Sequence, residues 1–345
     1  MAFEIGLYSL GDHFTDPLTG YKPSATQRLN QLVEMAVLAE ELGFDCFGVG
    51  ESHQAFFTTQ AHSIVLAAMA AKTKSITLFS SSSVLSTVDP VRLFEEFATL
   101  DHLSQGRIEV VLGRASRLGA FDLFGINPDD YDRIYDEKLE LFLKLNQTPI
   151  ITWSGEFRPA LNRQEILPRP YRSKLVVHRA VGGPPASAIE AGRLGMNMML
   201  ATLGGPITSF KTSVDAYRQH AHLHGHEPQH LKVTIAGLCH VAATNQEAID
   251  RIHPYLDQGF RALRKSPYPK EWLQEALNPK QALMIGDPQN IVNKLKAQID
   301  TYHHHRTILQ IDFGGMPTET IVEVMLMLAH DVIPQVKAYA AIKGL

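Results

Sequence analysis

Three places in the 345-residue chain gather side chains that could do chemistry. In GVGESHQAFF, Gly48 to Phe57, the residues Glu51, Ser52 and His53 directly follow an apolar run. A carboxylate beside an imidazole is an acid–base pair, and Phe56 and Phe57 would set an apolar wall next to it. A structural histidine at a strand end is the competing reading. In AVGGPPAS, residues 180–187, Gly182 and Gly183 close an apolar run before two prolines open a helix. Free N–H groups and the positive end of a helix dipole make such a turn a seat for phosphate. Arg114, just beyond the run RIEVVLG, would add a charge-assisted fork, while a plain glycine turn explains the same residues without a ligand. Finally, Ser80–Ser83 place four hydroxyls in an otherwise apolar segment. Each needs a partner if buried, although a solvated strand end would also account for them. A serine hydrolase built on Ser52 or Ser116 is conceivable, but the G-x-S-x-G elbow is absent. So are H-E-x-x-H, the Walker loop and G-x-G-x-x-G.

These sites recur at the ends of short apolar runs. Runs over 3–8, 44–50, 76–85, 107–112, 175–181, 196–201, 232–242 and 307–313 read as strands, each followed by a helical pattern. Ser24 and Gln27 form a capping box, Gly43 a helix stop, and Asp89-Pro90 and Asp287-Pro288 an N-cap with proline at the first helical position. Repeated strand–helix units predict a parallel sheet covered by helices, and eight of them favour a closed (β/α)8 TIM barrel. The chain is read as one α/β domain over 1–345. Insertions are expected after the fourth and seventh helical units, at about 147–170 and 255–285. In such a barrel chemistry sits where strands end and βα loops begin, which is where all three candidate sites fall.

Composition narrows the function classes. Lys plus Arg is 32 against 36 for Asp plus Glu, a net charge of −4, which offers no basic face for nucleic acid or membrane. Two lone cysteines, Cys46 and Cys239, fit a reducing compartment, and the expected location is cytoplasmic. The longest apolar stretch, Ile64 to Ala71, is far short of the ~20 residues that span a bilayer. Of sixteen histidines, the tract His220 to His226 and the run His303–His305 are expected on solvated surface, with no metal. His13 and His240 are weaker strand-end candidates for function beside His53.

GVGESH, the block VLSTVDPVRLFEEFATLDHLSQGRIEVVLGRAS, FDLFGINPDDY and AVGG together resemble the bacterial luciferase-like flavin monooxygenase family. The resemblance runs from the first strand to the last helix and is most specific from Val84 to Gly125. It implies a TIM barrel that binds reduced FMN, supplied by a separate flavin reductase, and acts with O2 on a small, mostly apolar substrate. Deazaflavin is the less favoured cofactor, for hydride transfer on the same fold, and a non-catalytic flavin-binding protein is a further alternative. The resemblance gives Arg114, Gly182, Gly183 and Ser187 to the flavin phosphate site, Val181 to cofactor binding beside them, and Ser81-Ser82 to a non-proline cis peptide under the flavin ring. Glu51, Ser52 and His53 are the catalytic candidates, and Tyr8, Phe56, Phe57, Phe121 and Leu203 the expected substrate pocket. Two departures stand out: Ser52 and Gly113 occupy positions where luciferases carry a catalytic histidine and a cysteine. Both argue against light emission from aldehyde oxidation. A homodimer through the helices beside the second and third strands is implied as well.

Overall fold

A computed structural model describes residues 2–114 and 119–345. Ser116 lies outside the described residues. The strands are β1 (Glu4–Ser9), β2 (Cys46–Val49), β3 (Thr77–Ser80), β4 (Ser83–Val84), β5 (Ile108–Gly113), β6 (Ile150–Trp153), β7 (Leu161–Glu165), β8 (Val176–Val181), β9 (Asn197–Ala201), β10 (Val233–Val241), β11 (Met284–Gly286) and β12 (Arg306–Gln310). The helices are α1 (Ala25–Glu41), α2 (His62–Lys72), α3 (Pro90–Leu103), α4 (Gly119–Phe124), α5 (Tyr131–Gln147), α6 (Ala186–Arg193), α7 (Ile207–Leu223), α8 (Asn245–Arg264), α9 (Glu271–Ala276), α10 (Pro288–Tyr302), α11 (Thr318–Met327) and α12 (Ile333–Ile342).

The parallel order β1-β2-β3-β5-β8-β9-β10-β12 returns to β1 and closes an eight-stranded TIM barrel. β4 adds to β5, and β11 to β10, outside the ring. Local chemistry fixes the boundaries. Ser24 and Gln27 make both bonds of the capping box on α1, and Gly43 follows it at φ 79°. Asp89 and Asp287 accept from backbone amides at the starts of α3 and α10, each with proline inside the first turn. Between α5 and β8 the chain makes the antiparallel β6/β7 hairpin. Between β10 and β11 it runs through α8, which carries Pro254, and α9.

The barrel interior is layered, because alternate residues of each strand point inward. Glu4, Glu109, His178 and Arg306 form a charged layer at the N-terminal end. Arg306 donates to both Glu109 oxygens at 2.6 and 3.0 Å and also to Glu4, while His178 Nε2 lies 2.9 Å from Glu109. Cys46, Phe79, Val111, Met199, Ala236 and Ile308 pack above it. At the C-terminal rim the inward positions turn polar again, with Tyr8 opposite Gln310 in the β1/β12 register.

In the histidine run 303–305, His303 is exposed as expected, but the two that follow depart from the surface expectation. His304 is fully buried, edge-on to Phe3 and Tyr302, and bonded to Thr307 Oγ1. His305 Nδ1 accepts from the Val233 amide. His304 and His305 turn inward because they lead from α10 directly into β12, beneath the barrel. His220 and His224 do lie on one helix face, with rings 6.1 Å apart.

Candidate functional site

Two cavities open at the C-terminal ends of the strands, one of about 490 Å³ and one of about 910 Å³. They meet at a neck formed by Leu10, Ser81, Ser82, Ala180, Val181, Gly182 and Ala201. The Ser81-Ser82 peptide at this neck is cis, as the resemblance implies. It sits between two strand ends where a side chain has little room. A Cβ on Gly50 would meet Ser81 O at 2.4 Å, and one on Gly113 would meet Ser82 Oγ at 2.3 Å. The missing luciferase cysteine therefore has a local cause: Ser82 occupies the space its side chain would need.

The smaller cavity is cationic. Arg114 donates to Asp132 Oδ1 at 2.8 Å, and its guanidinium lies 5.1 Å from the centre of the Tyr135 ring. Arg179, on β8, lies 5.0 Å from the same ring, with Asp136 Oδ1 3.9 Å from its Nη2. Arg114 Nε and Arg179 Nη1 are buried and have no hydrogen-bond partner among the described residues. Burial lifts the Tyr135 phenol to about 12, so a neutral ring separates the two cations. Buried guanidinium donors without acceptors are costly, and an anion in this cavity would satisfy them. The rest of the lining suits the same anion. α6 begins after Pro185 with no side-chain cap, which leaves the amides of Ala186, Ser187 and Ala188 free at its first turn. Added Cβ atoms on Gly182 or Gly183 would meet nothing within 4 Å, so the protein leaves open space beside this turn. Ser213 Oγ donates to Gly183 O at 3.1 Å and holds the turn in place.

Glu51 links the cavity wall to α2. His53 Nε2 donates to Glu51 Oε1 at 2.7 Å, and Glu51 Oε2 accepts from the Val84 amide at 2.7 Å. His62 Nδ1 lies 3.6 Å from the same carboxylate, and its Nε2 is 2.7 Å from Ser83 Oγ. Burial holds the His62 imidazole below the ordinary histidine range, so this ring is neutral. The Val84 amide thus fixes the carboxylate that the His53 ring meets. Ser52 Oγ donates to Gln54 Oε1 at 2.6 Å. Of the weaker histidines, His13 is tied to Pro23 O at 2.7 Å, and His240 is fully buried outside both cavities.

The larger cavity is aromatic. Tyr8, Phe56, Phe57 and Leu203 line it as expected, joined by Phe14 and by residues of α8 and α9. Phe121 does not line it. α4 turns this ring inward, where it is fully buried with Val84 and Ala120 and stacks on Tyr131 at 5.6 Å. Arg179 and His62 were not singled out from sequence. The available signal was an arginine inside an apolar strand, which needs a partner, and a histidine at the start of an apolar helix.

A TIM barrel with a cationic pocket and an aromatic chamber at its strand ends can hold an anionic group beside an apolar one. The model of the luciferase-like monooxygenase family matches residues 3–305, and the chain belongs to that family. The fold matches the monooxygenase RslO1 from Streptomyces bottropensis with TM-score 0.86 and 26% identity, over 96% of this chain and 99% of that one. It also matches the oxygenating constituent of 3,6-diketocamphane monooxygenase of Pseudomonas putida in complex with FMN (TM-score 0.78, 17% identity, 97% and 99% covered). An F420-dependent secondary alcohol dehydrogenase in complex with an F420–acetone adduct follows at TM-score 0.76 and 17% identity, with 97% and 99% covered.

Proposed function

We propose that the chain is a flavin-dependent monooxygenase that takes reduced FMN and O2 and acts on a small, mostly apolar organic substrate. The observation that carries this reading is the pair of unsatisfied buried arginine donors, Arg114 Nε and Arg179 Nη1, one neck away from an aromatic chamber. Arg114, Arg179, Ser187 and the first amides of α6 would hold the FMN phosphate. Ser81, Ser82, Val181 and Gly182 would support the ring at the neck. When bound, reduced flavin supplies the electrons for oxygen activation, and the protein supplies position and dryness. Glu51 and His53 would hold or move a proton at the edge of the neck, with Ser52 and Gln54 beside them. Tyr8, Phe56, Phe57 and Leu203 would contact the substrate and exclude water. A separate flavin reductase would supply the reduced cofactor, in a cytoplasmic setting. Ile64, 70% exposed on α2, supports a homodimer through that face. A sedimentation mass of two chains is expected, and the mass of one chain at micromolar concentration would remove the dimer.

Titration of the protein with FMN, followed by flavin fluorescence, tests the cofactor. Saturable binding is expected, and its absence would overturn the reading. The neighbour holding an F420–acetone adduct favours a second reading, deazaflavin-dependent hydride transfer. Tight F420 binding with negligible FMN affinity would put that reading first. Bound flavin that stays inert to oxygen over repeated reduction would leave only a flavin-binding protein.

A further inference from the structure

The larger cavity has a chemical signature that an alkyl chain does not answer. Its apolar wall is built mainly from rings. Phe14 and Phe56 stack at 4.8 Å, and Phe57 tilts against Phe56 at 4.8 Å. From α8 and α9, Phe260, Tyr268 and Trp272 meet edge to face at 5.3, 5.5 and 6.1 Å. Both groups line the same 910 Å³ space. Ring faces and edges carry opposite partial charge, so such a wall rewards a planar aromatic guest with directional contacts in addition to buried area.

The barrel end of this space is polar at one point. Tyr8 and Gln310 are register partners on adjacent strands, and both line the cavity. Gln310 uses its amide nitrogen on Asp12 Oδ1 at 3.2 Å, and Asp12 Oδ2 accepts from the Gly314 amide at 2.9 Å. These bonds fix the amide with its nitrogen toward Asp12. Among the described residues, none takes up the Tyr8 hydroxyl or Gln310 Oε1. Burial pushes the Tyr8 phenol above its usual range, with the charges of Asp312 and Asp12 adding to the effect, so it stays a donor. A hydroxyl donor thus stands next to a carbonyl acceptor at the floor of a ring-lined chamber.

Resting on the flavin reading above, we propose that the substrate is a planar aromatic hydroxy compound. Its ring lies between the Phe14/Phe56 and Phe260/Tyr268/Trp272 groups, and its oxygen docks on Tyr8 and Gln310. The substrate oxygen accepts from the Tyr8 hydroxyl and donates its own proton to Gln310 Oε1. A saturated alcohol could make the same two bonds but gains nothing from ring geometry, and an unsubstituted arene leaves both polar atoms dry.

The test compares three probes of equal carbon number, 2-naphthol, 1-decanol and naphthalene, by calorimetric titration of the full-length protein with and without FMN. The expected order is 2-naphthol tighter than each of the others by about tenfold. Tyr8→Phe and Gln310→Leu should bring 2-naphthol down to the level of naphthalene, and Phe56→Leu should weaken both arenes but not 1-decanol. Thermal midpoints report whether each variant folds, and Phe56→Leu carries the test if the floor variants do not. Equal or tighter binding of 1-decanol, or 2-naphthol affinity unmoved in folded Tyr8→Phe and Gln310→Leu, overturns the proposal. FMN titration of the same samples separates the two readings. FMN binding without a naphthol preference defeats only the substrate class, and naphthol preference without flavin binding defeats only the cofactor.

Discussion

At the N-terminal end of the barrel, Arg306 is met by Glu109 on two bonds and by Glu4, and His178 and Lys232 complete the set. At the C-terminal end, Arg179 is as deeply buried, at 1% exposure, yet its nearest acid is Asp136 at 3.9 Å and one of its nitrogens has no partner among the described residues. Both ends bury guanidinium groups, but while Arg28 at the C-terminal end is met by Asp312, Arg179 there keeps a nitrogen unpaired among the described residues. Desolvating a charge is costly unless partners repay it, so the paired Arg306 is a structural plug and the underpaired Arg179 is prepared for an acceptor from outside. Chain charge balance hides this contrast, since the net value of −4 says nothing about how each arginine is paired.

The largest expected effect breaks the plug. Glu109→Gln leaves Arg306 buried with half its pairing lost and should cost about 3–5 kcal/mol, read as a fall in denaturant midpoint. The same variant should bind FMN normally when folded. Arg179→Met is the mirror experiment. It should leave the melting temperature unchanged or raised, because an unsatisfied cation is removed, while FMN binding weakens by about 10- to 100-fold. A large loss of stability in Arg179→Met would erase the distinction between the two ends. Gly113→Ala tests whether the neck is held by sterics, since its Cβ would meet Ser82 Oγ at 2.3 Å. A cost of about 1–2 kcal/mol is expected, with FMN affinity reduced because the Ser81-Ser82 support shifts.

The smallest effect concerns pH. Burial lowers His304 to about 3 and also holds His178 below its ordinary value. Below about pH 6.5 the unfolded chain takes up protons that these folded histidines refuse, so stability falls on acidification. For His304 the loss runs on down to its folded value of about 3. Glu109, held well below the carboxylate range mainly by Arg306 against the opposing effect of burial, adds its own loss only below about pH 4.5. His304→Gln should flatten the upper part of this slope by roughly 1 kcal/mol between about pH 7.5 and 5.5, measured by urea unfolding.

The barrel and part of the anion pocket are readable in the chain, while the contrast between its ends is not, for physical reasons. The eight strands were visible because buried parallel strands read as continuous apolar runs. Arg114 and the Gly182-Gly183 turn were visible because they lie just past such runs, where a barrel exposes its loops. Arg179 was hidden inside VVHRAV, since strand alternation aims it at Tyr135 on α5 and no local pattern encodes that neighbour. His304 looked like surface because consecutive polar residues suggest a solvated turn, yet this turn is folded under Phe3. Phe121 seemed free to reach the chamber, but the direction of α4 is set by its packing on Tyr131. Local chemistry was legible, and side-chain direction across elements was not.

The neck carries a consequence of its own. Its rim includes Ser81, Ser82, Ala180, Gly182 and Ala201, none larger than a serine. Leu10 and Val181 complete the rim, so each added methylene at Ala180 or Ala201 narrows a passage already bounded by two larger side chains. The width of the passage and the hold on a flavin ring at the neck would therefore change together.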